Sequence, residues 1–127
     1  MAEKKRIVIV DDHPLFREGI KSIISYSPQF EIVGEAGNGT EGLRLVKKLK
    51  PEIVIIDLSL PDKSGTRLAS EIHKILPDSK ILVVSMHSKI QYIAEAFQSG
   101  ASGYIVKESA AERILEGLNI ISQGGLF

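Results

Sequence analysis

The sequence predicts an α/β fold, a doubly wound parallel sheet of five strands with helices between them. One observation is a set of short apolar runs at residues 7–10, 53–56, 81–84 and 104–106, with a more polar run at 30–36. Continuous apolar runs of this length are typical of parallel strands that are buried on both faces. The other observation is that amphipathic stretches with helical spacing follow each run, which gives five successive strand–helix units.

The five predicted strands occupy residues 7–10, 30–36, 53–56, 80–85 and 103–106. The second strand mixes Ile32 and Val33 with Glu31 and Glu35, whereas the other four are more apolar. Edge strands commonly carry charged residues of this kind, because one of their sides faces solvent. The composition therefore predicts the second strand at an edge of the sheet.

The five predicted helices have recognisable start and stop signals. Helix one begins near Pro14, which the first helical turn tolerates, and continues to about Ser25. Asn38 or Thr40 can cap helix two, which Pro51 follows. A loop at residues 58–65 precedes helix three, which ends before residue 77, and helix four stops at residue 100. Helix five is predicted from about residue 109 to the glycines at 124 and 125.

The composition limits the functional classes. A chain of 127 residues predicts one domain. Sixteen basic residues balance sixteen acidic ones, which disfavours nucleic-acid binding by this chain alone. The absence of cysteine excludes disulfides and thiolate metal sites. No apolar run approaches the roughly 18 residues of a membrane span, so we expect a reduced, cytoplasmic compartment.

Chemically active side chains stand at the ends of four of the apolar runs. Asp11 and Asp12 follow the first strand, Asp57 follows the third, Ser85 ends the fourth and Lys107 follows the fifth. In open parallel sheets, ligands bind outside the carboxyl ends of the strands, where the strand order reverses. We therefore expect these five side chains to share one crevice.

Such a crevice predicts a divalent cation and phosphoryl chemistry. Three carboxylates within about 4 Å repel by roughly 4 kcal/mol per pair at an effective dielectric constant near 20. Hard carboxylate oxygens suit Mg²⁺, which binds through one or two carboxylates together with phosphate oxygens. A carboxylate in that setting can act as a nucleophile toward a phosphoryl group and form an acyl phosphate.

Four segments of the chain resemble one known family. They are DDHPLFREGI at residues 11–20, IIDLSLP at 55–61, VSMH at 84–87 and GASGYIVK at 100–107. Together, in this order and spacing, they resemble the receiver domain of bacterial two-component response regulators of the NarL/FixJ (LuxR) type. The resemblance implies a flavodoxin-like sheet with strand order 2-1-3-4-5, and it spans residues 1–127.

The resemblance also implies roles for individual residues. Asp57 would be the phosphoacceptor, taking a phosphoryl group from the phosphohistidine of a sensor histidine kinase. The implied Mg²⁺ ligands are the carboxylates of Asp12 and Asp57, the carbonyl of Ser59 and, mostly through water, Asp11. Ser85 and Tyr104 would form the switch pair, and Lys107 would contact the phosphoryl oxygens. In this view the domain is a signalling module with slow self-dephosphorylation, and not an enzyme.

Regulators of this type usually continue into a DNA-binding domain, so we expect a fragment of a transcription factor whose DNA contacts belong to a further domain. A stand-alone receiver that acts through protein contacts is the competing interpretation. The resemblance also allows homodimerisation on phosphorylation, and no membrane partner is expected.

Two other functional classes stay open. Residues 37–42 form a literal G-x-G-x-x-G, with Asp57 lying 20 residues beyond Gly37, as a dinucleotide site requires. The preceding strand is polar, however, and the nearby carboxylates would repel a pyrophosphate. A Mg²⁺-dependent aspartyl phosphatase would also use a nucleophilic aspartate, but it commonly carries a second acid two residues later, where this chain has Ser59. His13 is interpreted as a solvated or capping residue.

Overall fold

The protein is described by a computed structural model that covers residues 3–127, and it has the predicted architecture. The strands are β1 (Lys5–Val10), β2 (Phe30–Ala36), β3 (Ile53–Ile56), β4 (Lys80–Ser85) and β5 (Gly103–Val106). The helices are α1 (Pro14–Ser25), α2 (Gly39–Leu49), α3 (Gly65–Ile75), α4 (Ile90–Gln98) and α5 (Ala110–Ser122). A short 3₁₀ turn at Lys107–Ser109 connects β5 to α5.

The five strands form one parallel sheet in the order β2-β1-β3-β4-β5. The predicted strand order is therefore confirmed, and β2 lies at an edge, as its polar composition indicated. Chain order reverses at β1, with β2 on one side and β3 on the other. The carboxyl ends of β1 and β3 thus flank the position where a ligand site is expected in such a sheet.

Alternate residues of each strand face opposite sides of the sheet, and two separate hydrophobic clusters result. One cluster lies under α2, α3 and α4 and includes the strand residues Val8, Val10, Val54, Ile56, Ile81, Val83 and Tyr104. The other lies under α1 and α5 and includes the strand residues Ile7, Ile9, Ile53, Ile55, Leu82, Val84 and Ile105. Both faces of the sheet are therefore covered by helices, which explains why the strand sequences are continuous apolar runs.

The helix boundaries follow local hydrogen bonds. Asn38 is the N-cap of α2, and its side chain accepts a hydrogen bond from the N–H of Glu41 at 2.8 Å. Ser64 caps α3 in the same way, accepting from the N–H of Arg67 at 3.2 Å. Helix α3 therefore begins at Gly65, a residue that the sequence analysis placed in the preceding loop. None of the helices in residues 3–127 is long and apolar enough to span a bilayer, and the longest has 13 residues.

Gly65 brings α3 against the end of β3. A Cβ atom at this position would overlap the carbonyl of Asp57 and lie 2.7 Å from the Cα of Leu58. The Gly65 N–H donates to the Leu58 carbonyl at 2.9 Å, which closes the β3–α3 loop. The absence of a side chain therefore allows the close approach that fixes the backbone next to Asp57.

We predict that Gly65→Ala lowers the free energy of unfolding by about 1–3 kcal/mol, because the added methyl group meets backbone atoms that have no room to shift. Gly19→Ala is the matched control, since it lies within α1 and a Cβ there would have no neighbour within 4 Å. That substitution should raise stability by about 0.5–1 kcal/mol. Urea unfolding of both variants measures the two effects, and equal stability of Gly65→Ala and the parent would contradict the steric argument.

Candidate functional site

Two buried aspartates extend neighbouring strands of the sheet by one residue. The N–H of Asp11 donates to the carbonyl of Ala36 at 3.0 Å, and the N–H of Asp57 donates to the carbonyl of Val10 at 3.0 Å. Their exposed fractions are 2% and 3%. Because the sheet hydrogen bonding continues through both residues, their backbones are held as firmly as the strands themselves.

The ammonium group of Lys107 lies between these two carboxylates. Its Nζ is 2.9 Å from Asp11 Oδ2 and 3.0 Å from Asp57 Oδ2. The same nitrogen lies 4.5 Å from the centroid of the Phe16 ring, a cation–π geometry. Lys107 enters from the 3₁₀ turn after β5, so the ion pairs connect the ends of β1, β3 and β5.

Burial and neighbouring charges act in opposite directions on this group of residues. Burial raises the pKa of Asp57 above its ordinary value, and the negative charge of Asp11 adds to the increase. Hydrogen bonds from Lys107 and from the N–H of Ser59 oppose that increase without cancelling it. Burial alone would lower the pKa of Lys107, but its hydrogen bonds to Asp11 and Asp57 outweigh burial and raise it.

His13 is a member of this cluster that the sequence analysis missed. Its Nδ1 lies 3.0 Å from Asp11 Oδ1, 3.1 Å from Asp12 Oδ1 and 3.7 Å from Asp57 Oδ2. It is also 3.0 Å from Lys107 Nζ. His13 does occupy the N-cap position of α1, but its side chain makes no capping hydrogen bond. The side chain is 53% exposed, so the predicted solvated placement is confirmed, and the ring also lies over the acidic group.

A local signal for this placement exists in the sequence. The N–H of His13 donates to Asp11 Oδ1 at 2.8 Å, a turn in which an aspartate binds the backbone two residues later. Such turns are common where aspartate precedes a helix, and this one brings residue 13 back over residue 11. The Asp-x-His spacing before Pro14 was the signal that could have identified it.

The cluster fits a metal ion. One ligand atom from each of Asp11, Asp12, His13 and Asp57 can be chosen so that all four lie within 4.8 Å of one another. Asp12 is the most accessible carboxylate of the three, with a side chain 36% exposed. Three carboxylates with one compensating ammonium leave excess negative charge in a small volume, which a hard divalent cation would neutralise.

Ser59 lies in the β3–α3 loop, beside Asp57 rather than across the site. Its N–H donates to Asp57 Oδ1 at 3.2 Å, so the two oxygens of the Asp57 carboxylate have different partners. Ser59 is exposed and forms an isolated bridge with Ser64. The carbonyl of Ser59 therefore belongs to a loop whose two arms pair with each other.

Ser85 and Tyr104 are both buried and both contact the β4–α4 loop. The hydroxyl of Ser85 accepts a hydrogen bond from the N–H of His87 at 3.2 Å, and the hydroxyl of Tyr104 donates to the carbonyl of His87 at 2.7 Å. Burial raises the pKa of Tyr104, and its contact with Ser85 opposes that increase. The ring of His87 in turn stacks on Tyr92 of α4, with centroids 4.1 Å apart.

Tyr104 is only 9% exposed and packs in the cluster under α2, α3 and α4. It is therefore not a surface aromatic in this structure.

The glycine-rich segment at residues 37–42 is not arranged for a dinucleotide. A carboxylate of the chain itself, Asp62, already accepts the N–H groups of Gly39 and Thr40 at the start of α2. The backbone donors that a pyrophosphate would need are therefore taken. Asp57, the acid that would have to bind the ribose, is instead paired with Lys107 at 3.0 Å. The geometry gives no support to the dinucleotide alternative.

Comparison with known proteins agrees with this site. The sequence pattern described as the response regulator receiver domain matches residues 7–119. The chain belongs to the response regulator receiver domain family.

The similar proteins narrow the subtype of this receiver domain. It is 37% identical over 124 residues to the transcriptional regulatory protein DegU of Brevibacillus brevis, which covers 98% of this chain and 52% of that protein. It is 32% identical over 122 residues to the nitrate/nitrite response regulator protein NarL of Escherichia coli K12, covering 96% and 56%. The receiver domain thus spans about half the length of these relatives.

Solved structures show the same fold. A two-component response regulator of the LuxR family from Aurantimonas sp. SI85-9A1 has a TM-score of 0.93 and 34% identity, with 98% of this chain and 89% of that chain covered. The signal receiver domain of the putative response regulator NarL from Mycobacterium tuberculosis has a TM-score of 0.91 and 34% identity, covering 97% and 99%. The domain is a receiver of the NarL/LuxR type, and the family likeness of the sequence is confirmed.

We predict that Asp57→Asn stabilises the receiver domain in the absence of divalent cations. The gain in unfolding free energy should be on the order of 1 kcal/mol, because a repulsion of roughly 4 kcal/mol between close carboxylates is removed while Lys107 loses one partner. Folding raises the pKa of Asp57, so the parent loses stability as pH rises from below the ordinary carboxyl value through the folded-state value. The gain should therefore be largest at neutral pH and shrink in mild acid.

Urea unfolding with a chelator, at neutral pH and in mild acid, measures this difference. Asp78→Asn removes the same charge from an exposed position just before β4, at the opposite end of the sheet, and should change stability little. A variant at position 57 that is no more stable than the parent at neutral pH would contradict the electrostatic account.

Proposed function

We propose that this receiver domain accepts a phosphoryl group on Asp57 from the phosphohistidine of a sensor kinase, with Mg²⁺, and then changes its surface to control an output. The observation that carries the proposal is the environment of the Asp57 carboxylate. It is buried at the end of a strand, one oxygen receives the Lys107 ammonium, and two more carboxylates lie beside it. This is a nucleophile placed where cationic groups can stabilise a transferring phosphoryl group.

In the proposed transfer, an oxygen of Asp57 forms a bond to phosphorus while the bond from phosphorus to the histidine nitrogen breaks. The products are an aspartyl phosphate and a histidine ring that takes up a proton. Mg²⁺, when bound, supplies positive charge to the phosphoryl oxygens. Asp11, Asp12, Asp57 and the carbonyl of Ser59 are the groups that we assign to hold it.

Lys107 provides the second positive charge. Its ammonium already contacts Asp57 Oδ2 at 3.0 Å, so a phosphoryl group on this carboxylate would be formed within its reach. A phosphorylated side chain carries about −1.5 to −2 charges and three strong acceptor oxygens. We therefore assign Lys107 to the phosphoryl oxygens, a role that its raised pKa supports because the amine stays charged.

We assign the conformational response to Ser85 and Tyr104. Both side chains hold the backbone of His87, one through its N–H and the other through its carbonyl. If the Ser85 hydroxyl turns to a phosphoryl oxygen on Asp57, the N–H of His87 loses its acceptor. The β4–α4 loop would then rearrange, and the stack of His87 on Tyr92 would carry the change to α4.

We propose that the whole protein is a transcription factor, with a DNA-binding domain beyond the receiver. The relatives named above support this, because they are transcriptional or nitrate response regulators about twice as long as this chain. A cytoplasmic location follows, since such regulators act on chromosomal DNA. A stand-alone receiver acting through protein contacts is the second candidate, and homodimerisation of phosphorylated domains is compatible with both.

We predict that the parent domain, incubated with acetyl phosphate and Mg²⁺, gains the mass of one phosphoryl group. Asp57→Asn should gain none, because it lacks the nucleophilic oxygen, and a chelator should suppress the gain by the parent. Asp78→Asn is the matched control and should behave as the parent. Intact-protein mass spectrometry reads all four results.

The stoichiometry separates the receiver from an aspartyl phosphatase. A receiver holds one phosphoryl group and loses it slowly, whereas a phosphatase turns over many equivalents of phosphoester. Continuous release of phosphate at a constant rate, or equal labelling of Asp57→Asn and the parent, would count against the proposed function.

We predict that Ser85→Ala leaves phosphoryl uptake within about tenfold of the parent but uncouples it from α4, because no hydroxyl links Asp57 to His87. The measurement is the amide NMR spectrum before and after acetyl phosphate. In the parent, the His87 and Tyr92 amide signals should shift, and in Ser85→Ala they should not. The control is Ser88→Ala, which changes an exposed serine in the same loop. In this variant the His87 and Tyr92 amide signals should shift as they do in the parent. Unchanged coupling in Ser85→Ala would show that the relay is wrong.

A further inference from the structure

We propose that Asp62 is a positioning residue for the phosphoryl and metal site, because it fastens the loop that carries Ser59 to the first turn of α2. This inference rests on the proposed function and adds a residue outside the acidic cluster. Asp62 lies in the β3–α3 loop, three residues beyond Ser59, and makes its contacts to a helix that precedes β3 in the chain.

Asp62 makes three hydrogen bonds to two consecutive residues of α2. Its Oδ1 accepts from the N–H of Gly39 at 2.7 Å. Its Oδ2 accepts from the N–H of Thr40 at 2.8 Å and from the Thr40 hydroxyl at 2.6 Å. Charge-assisted hydrogen bonds of this length are stronger than neutral ones, and the positive end of the helix dipole favours the carboxylate.

These bonds complete the N-terminus of α2. The side chain of Asn38 accepts the N–H of Glu41, and the Asn38 carbonyl accepts the N–H of Gly42 at 3.0 Å. With Asp62 on the first two N–H groups, all four donors of the first turn have partners. Gly39 is buried, so its N–H needs a partner from the protein, and the carboxylate that supplies it belongs to the β3–α3 loop. The same contact therefore links two separate elements.

The next residue makes a second attachment on the same side of the loop. The alkyl chain of Lys63 covers Gly39 so closely that a Cβ there would lie 2.7 Å from Lys63 Cδ. The Lys63 ammonium pairs with Glu71 of α3 at 3.0 Å, and its side chain is only 13% exposed. We call residues 62–64 the outer arm of the β3–α3 loop. Asp62 and Lys63 thus hold this arm against α2 and α3 together.

The inner arm of the loop, residues 58 and 59, is fixed to the site. The N–H of Ser59 donates to Asp57, Ser59 bridges to Ser64, and the Gly65 N–H closes onto the Leu58 carbonyl. Because both arms pair with each other through the Ser59–Ser64 bridge, a displacement of the outer arm moves the inner one. The orientation of the Ser59 carbonyl, assigned above to the metal, therefore depends on the attachment at Asp62.

The charge state of Asp62 is suited to a permanent attachment. The Thr40 hydroxyl and then the Gly39 N–H hold the pKa of this carboxyl well below its usual range. The group thus stays ionised at neutral pH and in mild acid. Its hydrogen bonds are not lost in the range where a phosphoryl acceptor operates.

Removal of the attachment should weaken Mg²⁺ binding without removing a ligand. Substitutions that disorient a metal ligand typically lower affinity by about 10–100-fold. Asp62 acts one step further from the metal, so we expect Asp62→Ala to raise the Mg²⁺ dissociation constant by about three- to tenfold. The rate of labelling by acetyl phosphate should fall at low Mg²⁺ and return to that of the parent when Mg²⁺ is saturating.

The experiment is a Mg²⁺ titration of the parent, Asp62→Ala, Thr40→Val and the double variant, followed by amide NMR and by calorimetry. Thr40→Val removes one of the three hydrogen bonds without altering any charge, so it separates the attachment from long-range electrostatics. We expect the Mg²⁺ dissociation constant of Thr40→Val to lie between those of the parent and Asp62→Ala. The double variant should have the same dissociation constant as Asp62→Ala. In the parent, the amide signals of Gly39 and Thr40 should shift when Mg²⁺ binds.

Asp78→Asn is the charge control and should bind Mg²⁺ as the parent does. A folded Asp62→Ala with the affinity of the parent would overturn the inference and leave the proposed function intact. If Asp62→Ala does not fold, unchanged affinity of Thr40→Val overturns it in the same way. A parent domain that binds no Mg²⁺ would overturn the proposed function, and the inference with it.

Discussion

The ammonium of Lys107, lying between the buried carboxylates of Asp11 and Asp57, is the contact on which the other features of the site depend. It joins the ends of three strands, and it offsets part of the repulsion that burial of two like charges creates. The pairing is possible because adjacent parallel strands end about 4.8 Å apart on the same side of the sheet. Without this cation, two aspartates that are almost fully buried would stand next to each other with no lysine or arginine of residues 3–127 paired to them.

Strand positions and the central charges could be predicted from the sequence because both follow from one geometric rule. Apolar runs identify the strands, and residues that follow parallel strands must meet at one edge, so Asp11, Asp57 and Lys107 were identified without coordinates. The remaining features depend on loop paths. Asp62 meets α2 across 23 residues of chain, and no periodicity encodes that contact. His13 could be assigned to the helix cap or to the site, and only the turn at Asp11 decides between them.

The site combines two kinds of support that differ in rigidity. Asp11 and Asp57 continue the hydrogen bonding of the sheet, whereas Ser59 and His87 belong to loops held by side chains. The two carboxylates that must keep a fixed separation are thus on the strands, and the segment that we assign to rearrange is the loop around His87, which Ser85 and Tyr104 hold from β4 and β5. Rigid elements that hold the reacting groups, with loops that carry the change, are a general arrangement in proteins whose surfaces respond to a ligand.

The alternation of residues in β5 has a consequence for how the two helical layers respond. Tyr104 belongs to the cluster under α2, α3 and α4, while its neighbour Ile105 belongs to the cluster under α1 and α5. Helix α4 is the least anchored of the five, with Ala96 as its one fully buried residue. Hydrogen exchange should therefore find a low local opening free energy in α4 and a high one in the strands. The sheet acts as a partition, so one layer can loosen while the opposite layer keeps its packing.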